Sequence, residues 1–372
     1  MNFDQNEEQR LLAESVRRLV AQDYSFETRR RILASPEGFS EAVWKAFADM
    51  GLLGLPIPSE HGGFGGGAVD MMSTMEAIGE ALLLEPYLAT VGVSARFIAR
   101  GATASRQREW LAAIAEGHLK LAFAHTEAHS RHELSRVSTT ARREGGAFVI
   151  DGEKRAVTHG GVADKLVVSA RDAAGISLFV VDATAPGVTR RPHRALDGTH
   201  GADINFKGVR VEADALLGNE GEALDLMDEV IDFATALVCA EAIGAMRYAN
   251  EATLEYLKTR RQFGVPIGVF QALQHRVVDM VISLEQAQSM ARLACARVDA
   301  GGDASSRRRV VSAAKVRVGE ACRHISQESV QLHGGMGMSD ELKISHTFRR
   351  LTAIAQQFGD VDHHLERFAA NP

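Results

Sequence analysis

Tyr256-Leu-Lys-Thr-Arg-Arg-Gln-Phe-Gly264-Val-Pro-Ile-Gly-Val-Phe-Gln271-Ala-Leu-Gln-His275 is the stretch on which the fold turns. Before it, Val230 to Leu257 carries apolar residues at helical spacing; after it, Ala272 to Arg297 does so again. Between them Phe263-Gly264-Val265-Pro266-Ile267-Gly268 breaks the pattern. A glycine past the last helical turn with a proline just beyond is helix-stop chemistry. Two antiparallel helices with a short connection follow. On spacing alone the junction reads plainly: Arg260 and Arg261 complement the C-terminal dipole of the first helix, and Phe263 is core.

Outward from this junction the texture changes twice. Residues 1–118 read as an N-terminal helical domain, with apolar periodicity in Glu8–Ala21, Phe39–Met50, Val69–Ala81 and Leu88–Ile98. The loop Pro56-Ile-Pro-Ser-Glu-His-Gly-Gly-Phe-Gly-Gly-Gly67 lacks G-x-G-x-x-G spacing and any strand–helix context, so it reads as a tight, mobile connection. Residues 119–214 hold short β-branched runs around Thr139, Phe148, Leu166, Ile176 and Ile204. Turn signals at Gly145-Gly146, Asp151-Gly152, Pro186-Gly187 and Asp197-Gly198 separate them, which predicts an antiparallel β-domain, a sandwich or partial barrel. Residues 215–372 return to helices, broken at Gly264–Gly268, Gly301-Gly302-Asp303 and His333–Gly337, as in a bundle. The expected class is α+β and multi-domain: helices, then strands, then a helical bundle.

Composition excludes several functions. Net charge is −6, from 42 basic and 48 acidic residues, so no global basic field recruits nucleic acid. Arg29-Arg30-Arg31 and Arg307-Arg308-Arg309 read as solvated helix faces. Cys239, Cys295 and Cys322 form no C-x-x-C pair, which predicts a reducing compartment, no disulfide and no cysteine metal site. The start, Met1-Asn-Phe-Asp-Gln-Asn-Glu-Glu, has no apolar core of a leader peptide, and the most apolar run, Ala234–Met246, is interrupted by Glu241. The expectation is a cytoplasmic protein without membrane insertion. A hydrolase reading of His333-Gly-Gly fails for want of a G-x-S-x-G elbow.

The chain resembles the acyl-CoA dehydrogenase family. R-x-x-F-G at Arg260–Gly264 with Gln271, and Gln331-Leu-His-Gly-Gly-Met-Gly337, are similar to its signature pair. Leu52-Leu53-Gly54, Gly62-Gly63-Phe64-Gly65, Gly152-Glu-Lys154 and Val209-Arg-Val211 with Leu217-Gly218 fall in the family's order. Phe123-Ala-His-Thr-Glu127, Cys239-Ala-Glu241 and Phe358-Gly-Asp-Val-Asp-His-His364 resemble most the small-subunit type of pimeloyl-CoA dehydrogenase. The resemblance implies FAD, an acyl-CoA thioester, α,β-dehydrogenation and an electron-transfer flavoprotein as acceptor. A base takes the proton next to the thioester carbonyl, and the β-hydrogen leaves as hydride. By position, Arg260 resembles the arginine that reaches the FAD pyrophosphate of a neighbouring subunit, with Phe263 and Gln271 beside the adenosine. Gln331, Gly334 and Gly335 resemble the segment whose backbone approaches that FAD. Thr126 and Thr158 resemble the groups set against the flavin ring.

The chain departs from the family in three respects: at each of two base positions and around the flavin ring. Gly359 stands where many members place the catalytic glutamate, and Ala234 where others carry it. Ala156 replaces the flavin-covering tryptophan, and Arg131-His132-Glu133 replaces a Gly-Ser-Asp loop. Glu241 is the one acid in the apolar helix Thr235–Met246, seven residues from Ala234 and so on its face, roughly 10 Å away. It is the candidate displaced base, against the reading of a buried carboxyl paired to an arginine. Asp360 is the next candidate, and Asp232 matches an acidic position expected to meet CoA. The chain is thus either a homotetramer with a displaced base or half of a mixed tetramer whose longer partner supplies one. The mixed tetramer accounts for all three departures together. A third reading is a flavin- or CoA-binding structural subunit without turnover.

Overall fold

The computed structural model describes residues 7–371; residues 1–6, where a leader was sought, and residue 372 lie outside them. The chain divides into two compact units. One comprises Met1–Arg31, Ala68–Leu83 and Thr235–Pro372; the other comprises Ile32–Gly67 and Leu84–Ala234.

The helices ahead of the sheet are α1 (Glu7–Asp23), α2 (Phe26–Ala34), α3 (Glu41–Asp49), α4 (Ala68–Ala81), α5 (Ala95–Gly101) and α6 (Ala104–Ala115). A π-helical turn, Leu88–Ser94, leads into α5. The glycine-dense loop is not a loose tether: Gly54 accepts backbone bonds from Ile57 and Phe64, and Gly65 and Gly66 bond back to Ile57 and Leu55.

The strands are β1 (Leu121–Ala124), β2 (Thr140–Glu144), β3 (Ala147–Thr158), β4 (Lys165–Arg171), β5 (Ile176–Asp182), β6 (Val188–Arg194), β7 (His200–Glu212) and β8 (Leu216–Leu217). They form one sheet in the order β6-β7-β3-β2-β4-β5-β8, with β1 beside β4. The ladders are antiparallel apart from β1 on β4 and the single Thr140–Arg171 contact of β2 with β4. Inward residues such as Phe148, Ile150, Leu166, Val168, Phe179 and Ile204 make its core. Strand β6, Val-Thr-Arg-Arg-Pro-His-Arg, is mostly exposed and lies at the sheet edge, where Pro192 is tolerated.

The remaining elements are α7 (Ala223–Thr259), β9 (Arg261–Gln262), β10 (Val265–Pro266), α8 (Gln271–Asp299), α9 (Ala304–His333), α10 (Lys343–Gln356) and α11 (Val361–Ala369). Helices α4 and α7 touch backbone to backbone. A Cβ at Gly79 would lie 1.9 Å from the Glu241 carbonyl oxygen, and one at Gly244 would lie 1.8 Å from that of Glu76. Only glycine permits so close a crossing at both points. The two glutamates beside it are paired: Glu76 accepts from Arg247 at 2.7 Å and Glu241 accepts from Arg350 at 2.6 Å. Asp303 caps α9 by accepting from the Ser306 amide at 2.8 Å, just after Gly301-Gly302.

Candidate functional site

The junction between α7 and α8 is a β-hairpin rather than a bare loop. Helix α7 stops at Thr259, β9 pairs β10 antiparallel, and Phe263-Gly264 forms the two-residue turn. Gly264 therefore serves the hairpin, not the helix end. Both turn residues have positive φ, 54° at Phe263 and 81° at Gly264, as a type I′ turn demands. Phe263 is not core, contrary to the plain reading of the spacing: it is 90% exposed. A bulky residue in the left-handed region costs about 1–2 kcal/mol, and leaving the ring in water forgoes about 1.5–3 more. Its ring meets Phe270 edge-on, with centroids 6.2 Å apart. Arg261 bonds within the hairpin, to the Gly264 carbonyl at 3.2 Å. Among the described residues the Arg260 guanidinium has no acceptor, and Gln271 is exposed at the start of α8. Val278, Val281 and Ile282, about half exposed, continue an apolar face along α8.

The second signature segment lies beside the first. His333, the last residue of α9, stacks on Tyr256 of α7 with centroids 4.5 Å apart. Its Nδ1–H donates to the Ser329 carbonyl at 2.8 Å, which fixes the ring. A cavity of about 280 Å³ opens there, lined by Tyr248, Tyr256, Thr259, His333 and Lys343 among others. Gly334 has φ 60° and ψ −143°, a conformation for glycine alone. Gly335 has no such φ, and nothing lies within 4 Å of a Cβ built on it. Among the described residues no contact makes Gly335 a glycine. Gly337 differs, since its Cβ would meet the Val330 carbonyl oxygen at 2.5 Å. Gln331 is exposed on the same segment. An unpartnered guanidinium, an uncovered ring and bare backbone suit the phosphate and base of a nucleotide, so the residues present fit the adenosine half of FAD.

Thr126 and Thr158 are in the β-containing unit. Both are exposed, and among the described residues neither hydroxyl has a hydrogen-bond partner. The Arg155 amide donates to the Thr126 carbonyl at 2.7 Å, which ties the two segments together. Beneath Thr126 sits an anchor built on Glu127 and Lys154. Glu127 accepts from Lys154 Nζ at 2.7 Å, from the Ser138 amide at 2.7 Å and from the Thr139 amide at 3.0 Å. Burial raises its pKa, but the Lys154 bond and charge and the two amides outweigh this and hold it at about 2. A lysine at a buried strand position was the available signal, because such a cation needs a partner.

The positions where the resemblance sets a base hold none. Ala234 is fully buried. Gly359 has φ 120°, and a Cβ there would meet the imidazoles of His363 at 2.5 Å and His364 at 2.7 Å. The buried Lys315 ammonium fixes this turn by donating to the carbonyls of Ile354 at 2.9 Å, Ala355 at 3.1 Å and Gly359 at 2.8 Å. Glu241 accepts both Arg350 nitrogens, Nε at 2.6 Å and Nη2 at 2.8 Å, and is buried. That geometry is the paired structural carboxyl set against the displaced base. Asp360 caps α11 by accepting from the His363 amide at 2.9 Å. Asp232 is buried.

Among the described residues, no helix is long and apolar enough to cross a membrane. None of their His, Cys, Asp and Glu side chains form a group of three or more that could hold a metal ion. The three cysteines are free and buried.

Family models for acyl-CoA dehydrogenase match nearly the whole chain: the N-terminal domain over residues 6–118, the middle domain over 122–209 and the C-terminal domain over 224–371. The acyl-CoA dehydrogenase FadE12 of Mycobacterium tuberculosis is 30% identical over 367 residues, covering 95% of this chain and 93% of that protein. The caffeyl-CoA reductase-Etf complex subunit CarC of Acetobacterium woodii is 27% identical, covering 92% of each. Among solved structures, the Tcur3481-Tcur3483 steroid ACAD is 27% identical with a TM-score of 0.89, covering 98% of this chain and 97% of that one.

Proposed function

This chain belongs to the acyl-CoA dehydrogenase family, and on that premise we propose that it works as one subunit of a mixed tetramer whose longer partner supplies the catalytic base. It is an FAD-dependent oxidoreductase acting on acyl-CoA thioesters. One observation supports the mixed assembly: the candidate base positions hold a glycine, an alanine or an occupied carboxylate. Gly359 has no room for a side chain, Ala234 is fully buried, Glu241 is held by Arg350, and Asp360 caps a helix. The double name of the steroid ACAD neighbour agrees with such an arrangement, as does the likeness to a small-subunit type of pimeloyl-CoA dehydrogenase.

In this reading Arg260 gives its guanidinium to the pyrophosphate of the FAD shared with a neighbouring subunit. Phe263 and Gln271 flank the adenosine, and Gln331, Gly334 and Gly335 let backbone approach it. Thr126 and Thr158 offer hydroxyls and adjacent amides to the ring of an FAD on the β side. Bound FAD supplies the hydride acceptor for the β-hydrogen of the thioester. The proton next to the carbonyl goes to the partner's carboxylate. We take residues 1–118, 119–214 and 215–372 as the domains. The acceptor we propose is an electron-transfer flavoprotein, in line with the Etf complex named for the CarC relative. The apolar face of Phe263, Phe270, Val278, Val281 and Ile282 supports burial against another subunit.

The test is a single-turnover flavin reduction with the chain alone and with its longer homologue co-expressed. General-base catalysis is worth about 100- to 10,000-fold. Reduction should be slower by that factor in the chain alone and restored by the partner. Fast reduction by the isolated chain, insensitive to Glu241 and Asp360 substitutions, would overturn the reading.

A further inference from the structure

Strand β3 does not run smoothly through the segment that carries Thr158. Its register against β7 shifts between Lys154, opposite Ile204, and Val157, opposite Ala202. Two residues, Arg155 and Ala156, thus stand opposite the single residue Asp203, which defines a β-bulge. Ala156 has φ 49°, a left-handed conformation that an alanine adopts at a cost. Something must hold it there. The side chain of Asp203 does so: Oδ1 accepts from the Ala156 amide at 3.0 Å, and Oδ2 accepts from Arg155 Nη1 at 2.7 Å. In the same bulge the Arg155 amide donates to the Thr126 carbonyl at 2.7 Å. One carboxylate therefore sets the backbone from which both exposed threonines are presented.

We propose that Asp203 is a positioning residue for the flavin ring, acting through the Ala156 amide and the bulge rather than by touching the cofactor. This rests on the reading of Thr126 and Thr158 as the ring-side groups. It differs from that reading in naming what sets their spacing, a residue on another strand. The physical reason is that an unpaired ladder amide in a strained bulge relaxes unless an acceptor is supplied. Of the two bonds, the one to Ala156 does the positioning. Arg155 also pairs with Glu153 at 2.9 Å, so its guanidinium has a second anchor.

The experiment compares Asp203→Ala, Asp203→Asn, Arg155→Met and Thr158→Val in the assembled FAD-bound protein. The readouts are the visible flavin spectrum, FAD dissociation, and amide hydrogen exchange of the peptide spanning Ala156. Asp203→Ala should speed exchange at the bulge, shift the flavin bands and weaken FAD roughly tenfold, as expected for losing one hydrogen bond to a charged group. Asp203→Asn keeps an acceptor for the Ala156 amide and should stay near wild type in all three, as should Arg155→Met. Unchanged exchange and spectrum in a folded Asp203→Ala protein would overturn the proposal. So would equal damage from Asp203→Asn, which would assign the role to charge. If Asp203→Ala does not fold, the contrast between Asp203→Asn and Arg155→Met still decides: damage in either variant refutes the amide bond as the holding element, and wild-type behaviour of both upholds it. Exchange reports on the bulge without reference to flavin. An unshifted spectrum in both Thr158→Val and Asp203→Ala, with exchange still rising in Asp203→Ala, would therefore fail the ring-side reading and leave the clamp in place.

Discussion

Replacing Glu241 with glutamine separates a buried structural carboxylate from a catalytic one. In the protein Glu241 is buried and grips Arg350 through two bonds of 2.6 and 2.8 Å, while the arginine side chain is only 15% exposed. Glutamine keeps the shape but removes the charge that Arg350 grips through both nitrogens. Breaking one partner of a buried pair costs about 3–5 kcal/mol, and the slight exposure of Arg350 places the expected loss near the lower end, about 3 kcal/mol. Urea unfolding should show a lower midpoint with an unchanged slope. The double variant Glu241→Gln with Arg350→Met should recover part of that loss, since it removes both charges of the pair. Substrate-driven flavin reduction, measured with the longer partner present, should stay within a few-fold of wild type in both. If Glu241→Gln instead leaves stability intact and lowers flavin reduction by about 100-fold or more, Glu241 is the base and the borrowed-base reasoning is wrong.

Arg260→Ala removes a guanidinium with no acceptor among the described residues, so thermal stability of the FAD-free protein should hold while FAD affinity falls roughly ten- to a hundredfold, measured by flavin release. Gly359→Ala, at φ 120° with two imidazoles in the way, should cost about 2 kcal/mol or more, and Gly359→Glu should fail to install a base for the same reason, as unfolding and flavin-reduction assays would show. The His364 imidazole is pushed down to about 2, first by burial and then by the charges of Lys315, His363 and Arg367. Its folded pKa is below the unfolded value near 6.5, so this contribution is whole above that pH. It is lost as pH falls from there toward 2, by up to about 1.4 kcal/mol per pH unit. Unfolding midpoints at pH 7 and 5 should therefore converge less in wild type than in His364→Gln.

Helical periodicity alone determined α7 and α8, because an apolar stripe repeats every three or four residues whatever it packs against. The bounds expected at Val230–Leu257 and Ala272–Arg297 extend to Ala223–Thr259 and Gln271–Asp299. Five strands were legible from β-branched runs and turn pairs. Strand β6 was not, since its Arg-Arg-Pro-His-Arg has no alternating apolar face; only its place at the sheet edge makes it a strand. Helix α6 was not marked out as a separate segment, although Trp110, Leu111 and Ile114 are its buried residues. The motif order around Arg260 and Gln331 pointed to the family without any fold. Tertiary structure decided where individual side chains stand and what they meet. It put Phe263 in solvent through a hairpin that spacing cannot reveal. It gave Glu241 an arginine 109 positions away, and it set Asp203 opposite the bulge at Ala156. Each of these depends on which distant group comes within hydrogen-bond reach, and hydrogen bonds and charge pairs act over a few ångströms of space, not along the chain.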